Sequence, residues 1–443
     1  MFPDADQVRR RIAARLDTVA ATSHFRVLVS TLLVVMHLVL FSLAGHDKLD
    51  LPFNSAPGNA PYYSDPDAPE LRPILRQPHY WSRLIVSRWD SQHYIGFALR
   101  GVTACPTDPS AYDYEYMQCG LAWLPGWGLT AGVLVDTTGM PADFALLFLS
   151  LIAALALNIL WTSPLLVERF GRFETYMTLI AFNLFPSAFY IVTPYTESAT
   201  MALALGAYLC VIRDRWGWAG LLVGASTALR AGAMVFAFGL CAAAAIAAFY
   251  RLREGAPKWW RPLIAGPLSG WGIMLTMLLF KIFLNEPFAY NRARDAFGDQ
   301  SVPSRIFDPQ FYLRAFSGQH IDGVMIVGSI FVVALMWRHL RKRMQREELI
   351  YFGIASLLTF ILPATMLEDD QFWGFNRYLL LAPLIFFAAG QMAREHKAVF
   401  VLWLVLCAAM YWNIELCSYI SHGNPGTCPC LGRLEFTLPF QSQ

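Results

Sequence analysis

The sequence predicts an all-α polytopic membrane protein, a bundle of about eleven transmembrane helices with a large extracytoplasmic loop after the first. Three observations carry that expectation. Of the 443 residues, 56% are hydrophobic and 15% are charged, against about 45–50% and about 25% in soluble domains. The excess lies in long runs: Val27–Leu43, Phe144–Leu166, Ala231–Tyr250, Leu263–Leu284, Gly323–Trp337 and Val399–Ala409. Roughly 20 apolar residues cross about 30 Å of hydrocarbon. Basic residues, finally, gather in short clusters between the runs.

Those clusters order the spans, because Lys and Arg are retained on the cytoplasmic side. Arg9, Arg10, Arg11, Arg15 and Arg26 precede the first run, which has no small-residue cleavage site and reads as a signal anchor. Arg169/Arg172, Arg213/Arg215, Arg251–Arg261, Arg338–Arg346 and Arg394–Lys397 all fall inside if the chain crosses at 25–45, 143–166, 174–193, 197–212, 216–231, 232–250, 262–284, 322–338, 349–366, 375–392 and 398–416. Leu121–Val135, short and broken by Pro125 and glycines, is then a re-entrant or interfacial helix. The rest of the single domain 1–443 is extracytoplasmic: a first loop 46–142, a second loop 285–321 and a tail 417–443. Within the first loop, His79–Arg100 mixes Trp81, Leu84, Ile85, Trp89, Ile95, Phe97 and Leu99 with charges, the pattern of an interfacial helix. No internal repeat of the transporter kind is present.

This topology brings a set of polar groups to the outer face: Asp90, Glu197, Arg230, Glu368–Asp370 and the triplet Asn376, Arg377, Tyr378. Ionisable groups near membrane depth are costly and point to function. Asp90 follows Trp89 in apolar surroundings, which are expected to raise its pKa and sharpen it as a base. Pairing with Arg83 or Arg88 is the alternative. Glu197 opens a span after Pro194 and Tyr195; it is either a helix-dipole partner or a group that orients a sugar hydroxyl or supports the base. Arg230 interrupts about 35 apolar residues and suits a lipid phosphate in bidentate geometry; snorkelling is the alternative. Arg377 offers a second phosphate contact, or pairs with Glu368, Asp369 or Asp370. His93, Tyr94, Tyr195 and Asn376 complete the surroundings.

Cys210, Cys241 and Cys407 lie in spans as packing residues, whereas Cys105, Cys119, Cys417, Cys428 and Cys430 fall outside, where Cys105–Cys119 is the candidate disulfide. The tail's His422 and its Cys-Pro-Cys spacing match no usual zinc pattern, so no metal and no cofactor is expected. No P-loop, nucleophile elbow or zincin motif occurs. A net charge of +2 without a basic patch gives no nucleic-acid footprint. A site facing outward cannot reach cytoplasmic nucleotide sugars, so a sugar already across the membrane on a polyprenyl phosphate fits.

Several stretches resemble one family. Ser87, Trp89, Asp90, Tyr94 and Gly101 are similar to the signature of the PIG-V mannosyltransferases, which add the second mannose to GPI precursors. Leu121–Leu129 resembles that family's Phe-Pro-Gly-Phe segment, and the stretch holding Pro186, Tyr195 and Glu197 resembles its Ser-Pro-Ala…Tyr-Ser-Glu motif. The Arg230 segment is similar to its Thr-x-x-Arg-Ser-Asn-Gly, and Arg377–Tyr378 to its late Arg-Tyr pair. The likeness runs over about 85–235, with a weaker echo near 377. Ala231-Gly232-Ala233 replaces Ser-Asn-Gly, and Val102–Met117 is inserted.

The resemblance implies a GT-C fold and an inverting glycosyltransferase. It would take mannose from a polyprenyl-phosphate mannose and pass it to a lipid or glycan acceptor. A small membrane partner subunit is compatible with that reading. Asp90 would be the base, with Arg230 and Arg377 on the donor phosphate. A transporter or flippase is the second reading; it predicts polar residues along the spans, where only Asn158, Asn183 and Lys281 stand out. A non-enzymatic membrane scaffold is the third. No Asn-x-Ser/Thr site occurs and Ala and Arg are frequent, which favours a bacterial plasma membrane over the endoplasmic reticulum.

Overall fold

The computed structural model describes residues 23–45, 90–102, 121–296, 307–309, 320–365 and 375–412. Trp89, Cys105, Cys119, Glu368–Asp370, His422, Cys417, Cys428, Cys430 and the Asn376 side chain lie outside that description. Among the described residues the regular structure is all helix, with no strand. The helices are α1 Ser23–Gly45, α2 Ser91–Arg100, α3 Gly126–Thr138, α4 Ala142–Trp161, α5 Pro164–Phe170 and α6 Arg172–Asn183. They continue as α7 Glu197–Ile212, α8 Trp216–Leu229, α9 Met234–Arg253, α10 Ala265–Ser269, α11 Trp271–Leu284 and α12 Ala289–Ala296. The last five are α13 His320–Arg343, α14 Arg346–Thr365, α15 Phe375–Leu379, α16 Pro383–Glu395 and α17 Lys397–Met410.

Among the described residues four helical stretches are long and apolar enough to cross a membrane: Ser23–Leu43, Ala142–Phe170, Ala231–Arg253 and Arg261–Leu284. Glu197–Ile212 and Lys397–Met410 are shorter apolar helices. Their outward faces carry bare Leu, Val, Ile and Phe, as on Leu28, Leu32 and Leu43 of α1; such surface is stable only against lipid or another chain. Among the described residues the interior is one large apolar cluster and a smaller one around Phe97, Phe280 and Leu284; the centre of the large one is aromatic, with Phe386 and Phe387 edge to face with Trp161 and Phe386 with Phe182. α3 has 13 residues, roughly 20 Å of helix. That length falls short of the hydrocarbon thickness.

One end of the bundle collects the basic clusters and ties them to one another. Arg169 reaches buried Glu348 at 2.6 Å, and Tyr208 donates to the same carboxylate at 3.2 Å. Arg394 pairs with Glu174 at 2.5 Å and Arg251 pairs with Asp214. Arg346 lies 3.8 Å over the Tyr250 ring. α7 runs from Glu197 to this end and α8 runs back from it, so Glu197 and Arg230 sit at the opposite end.

Two expected spans are broken there. The run at 174–193 is helical only to Asn183; residues 184–196, with Pro186 and Pro194, form turns and a 3₁₀ segment Ala188–Ile191, and they are almost wholly buried. The run at 375–392 stops at Leu379 and resumes at Pro383. Proline lacks the N–H a continuing helix needs, and non-helical backbone at membrane depth is tolerated only inside protein. The amphipathic segment also differs from expectation. In α2, Tyr94, Ile95, Phe97 and Ala98 are buried in the protein against α3. The contact is close because α3 presents glycine: a Cβ on Gly128 would come within 2.5 Å of Phe97 Cβ and 2.6 Å of the Tyr94 carbonyl.

The polar span residues Asn158 and Asn183 bond each other, Asn183 Nδ2 donating to Asn158 Oδ1 at 3.1 Å. His37 bridges Asn183 Oδ1 at 3.2 Å and the Tyr411 hydroxyl at 2.7 Å. This network joins α1, α4, α6 and the end of α17. Lys281 is exposed and donates to Asn285 Oδ1 at 2.7 Å. Cys210, Cys241 and Cys407 are free; Cys407 is buried, whereas Cys241 is exposed on α9.

Candidate functional site

Asp90, Glu197, Arg230 and Arg377 lie far apart in the chain and meet at one place. Arg377 Nη1 donates to Asp90 Oδ2 at 2.5 Å, across 287 residues. Its Nε donates to Glu197 Oε1, and Arg230 Nη1 donates to the same oxygen. The Arg377 guanidinium lies 4.4 Å from the Tyr195 ring centroid and 5.0 Å from that of Tyr190, while Arg230 lies 4.9 Å from Tyr378. Aromatic faces attract a guanidinium and fix its plane. They leave its edge for hydrogen bonds.

Each side chain arrives from a helix end or a break. Asp90 precedes α2, and its side chain makes no cap to the helix. It is therefore turned toward the cluster. Glu197 opens α7 after the buried turns 184–196, where Tyr190 and Tyr195 are also placed. Arg230 is extended (φ −153°, ψ 133°) between α8 and a 3₁₀ turn over Ala231–Ala233. Arg377 belongs to the five-residue α15 ahead of the break at 380–382.

The expected alternatives for these residues resolve differently. Arg230 does not snorkel: its side chain is 10% exposed and paired with Glu197. Arg377 takes Asp90 and Glu197 as partners; the acidic run once expected beside it is outside the described residues. Glu197 is in the first turn of α7, as a dipole partner would be, and it also separates two guanidiniums that would otherwise repel. Its second oxygen, Oε2, is buried without a hydrogen-bond partner, as are the Thr196 and Thr200 hydroxyls on the same turn.

The expectation that Asp90 has a raised pKa is overturned. Burial does push it up, but the adjacent Arg377 charge, the Arg377 hydrogen bond and a hydrogen bond from Trp123 outweigh burial and hold the carboxyl below its ordinary range. Asp90 is ionised in this state. Trp123 was not singled out as a site residue, although the aromatic Leu121–Leu129 stretch contained the signal. Its indole ring stacks on His93 with centroids 3.5 Å apart and planes 13° from parallel. Burial lowers His93 to about 4 despite the Asp90 charge nearby, so its ring is neutral at physiological pH. Tyr94, on the same helix, is buried.

Among the described residues the cluster holds two carboxylates and two guanidiniums, and no group of three or more His, Cys, Asp or Glu forms a metal site. A carboxylate at the rim of two fixed guanidiniums can accept a proton while the arginines hold an anion. No protein-family model, no curated protein and no solved structure matches the chain.

Proposed function

We propose that the protein is an inverting glycosyltransferase of the extracytoplasmic membrane face. It moves mannose from a polyprenyl-phosphate mannose to a hydroxyl of a lipid or glycan acceptor. The observation that carries this reading is the convergence of Asp90, Glu197, Arg230 and Arg377 at the end of the bundle opposite its basic clusters. By the positive-inside rule that end faces away from the cytoplasm. The order of motifs around Asp90, Glu197 and Arg230, which resembles the PIG-V mannosyltransferases, supports the choice of sugar and carrier.

In the reaction the acceptor hydroxyl attacks the anomeric carbon. Its proton passes to Asp90, the bond from the anomeric carbon to the phosphate oxygen breaks, and the electron pair leaves with the phosphate. Arg230 and Arg377 neutralise the charge that grows on that phosphate, the electrostatic contribution that usually dominates such catalysis. Glu197 keeps the two arginines together. A single displacement needs one base, so Asp90 suffices.

Transport is the weaker reading. The polar residues that would mark a path through the spans are taken up elsewhere: Asn158 and Asn183 in a network with His37 and Tyr411, and Lys281 on Asn285 at the surface. The deciding assay supplies purified protein with polyprenyl-phosphate mannose and a panel of lipid and sugar acceptors. Wild type should transfer mannose, and Asp90→Asn should lower kcat by about 10²–10⁴ while still binding donor. Full turnover by the Asn variant would remove Asp90 as base.

A further inference from the structure

The charge cluster is unevenly exposed. Glu197 is sealed at 1%, whereas Asp90 keeps 21% and Arg377 15% of their side-chain surface. Arg377 holds Glu197 through Nε and Asp90 through Nη1. Its tip can therefore leave Asp90 while Nε stays on Glu197. Of the two contacts of Arg377, the one to Asp90 is thus the more open to solvent.

Resting on the donor reading above, we propose that Arg377 is a substrate-operated latch on Asp90. The donor phosphate takes the Nη edge of Arg377, and Asp90, kept in place by the Trp123 indole, is freed to receive the acceptor's proton. Trp123 is thereby a positioning residue. It reaches Asp90 from the turn ahead of α3, independently of α15, and is braced by its stack on His93.

The electrostatics run the same way. The charged and titratable groups around Asp90 and its arginine partner are Arg377 from α15, Glu197 from the start of α7, Arg230 from the end of α8, and His93 and Tyr94 from its own helix, with Tyr190 and Tyr195 from the turns ahead of α7 against Arg377 and Tyr378 against Arg230. Without donor, two negative charges meet two positive ones, and Asp90 is a poor proton acceptor because Arg377 stabilises its anion. A phosphodiester adds one negative charge and draws Arg377 away. Burial then dominates, and Asp90 binds protons more strongly. Lowering the pH must accordingly tighten donor binding while it slows turnover, since a protonated Asp90 is no base.

The test is calorimetry of polyprenyl-phosphate mannose binding to the detergent-solubilised full chain at pH 7 and pH 5, in two buffers of different ionisation enthalpy. This donor is a phosphodiester and lacks the ionisation near pH 6 that a phosphomonoester would add. Wild type should take up protons on binding at pH 5. Its affinity should rise severalfold from pH 7, bounded by about tenfold per pH unit for one proton. Both effects should vanish in Asp90→Asn, which still binds. Trp123→Phe keeps the stack but lacks the N–H; its kcat should fall about tenfold with donor affinity at pH 7 unchanged. Donor binding by wild type without proton uptake overturns the latch, as does uptake that survives Asp90→Asn and disappears in Glu197→Gln. No binding of this donor by wild type rejects the donor reading, and the latch with it.

Discussion

At the scale of single residues, the site is a problem in charge balance. Arg230→Lys retains the charge but loses the planar fork, so donor KM should rise about tenfold in steady-state assays, the equivalent of about 1.4 kcal/mol. His93 gives a pH signature. Its pKa falls from 6.5 to about 4 in the folded protein. Between those values the unfolded chain binds a proton that the folded chain refuses, so stability is full above pH 6.5 and declines down to about pH 4. The shift corresponds to about 3 kcal/mol. Melting curves in detergent should show that decline, and His93→Gln should flatten it. Asp90, also depressed, adds a loss of the same sign at still lower pH. The four charged residues were legible in the sequence because each interrupts apolar surroundings where an ion is costly. Their pairing was not. Nothing local in the chain joins Arg377 to Asp90 across 287 residues, and the sign of the Asp90 shift depends on that partner.

At the scale of elements, helices were legible and their interruptions were not. Apolar runs forecast α1, α4 and α9 within about five residues, and the run at 262–284 covers a 3₁₀ segment, α10 and α11 together. In 174–193 and 375–392, mean apolarity hid the breaks at Pro186 and ahead of Pro383; Tyr190 stands in the first, Tyr195 just beyond that run, and Arg377 in the short α15 before the second. The α2–α3 contact was equally hidden, because a glycine face announces itself only through its neighbour. Gly128→Ala tests that contact. Its methyl would overlap Phe97 and the Tyr94 carbonyl, so α2 must shift and carry Asp90 with it. Overpacking of this kind costs about 1–3 kcal/mol. The expected outcome is a lower melting temperature and a kcat deficit larger than the fraction unfolded explains; an unchanged kcat would mean that α2 does not position Asp90.

For the whole molecule, the basic clusters define one end and the Asp90 cluster the other, a polarity that impermeant thiol labelling can read. With Cys241, an exposed thiol, and the other cysteines removed, Gly139→Cys and Glu254→Cys should label from opposite sides of sealed vesicles. Labelling from one side would remove the bundle orientation used above. At the basic end, Glu348→Gln leaves Arg169 unpaired and weakens its contact with Tyr208; about 1–3 kcal/mol of stability should be lost. Donor affinity should be unchanged. That end is cross-braced between α5, α7 and α14 by Glu348, between α6 and α16 by Glu174, and by stacked rings such as Phe170 on Phe387. The molecule is thus stitched at both ends, by Glu348 and Glu174 at the basic end and by the Arg377 and Arg230 ion pairs at the other. Amide exchange should be slowest where α5, α7 and α14 meet at Glu348, and Glu348→Gln should quicken it there.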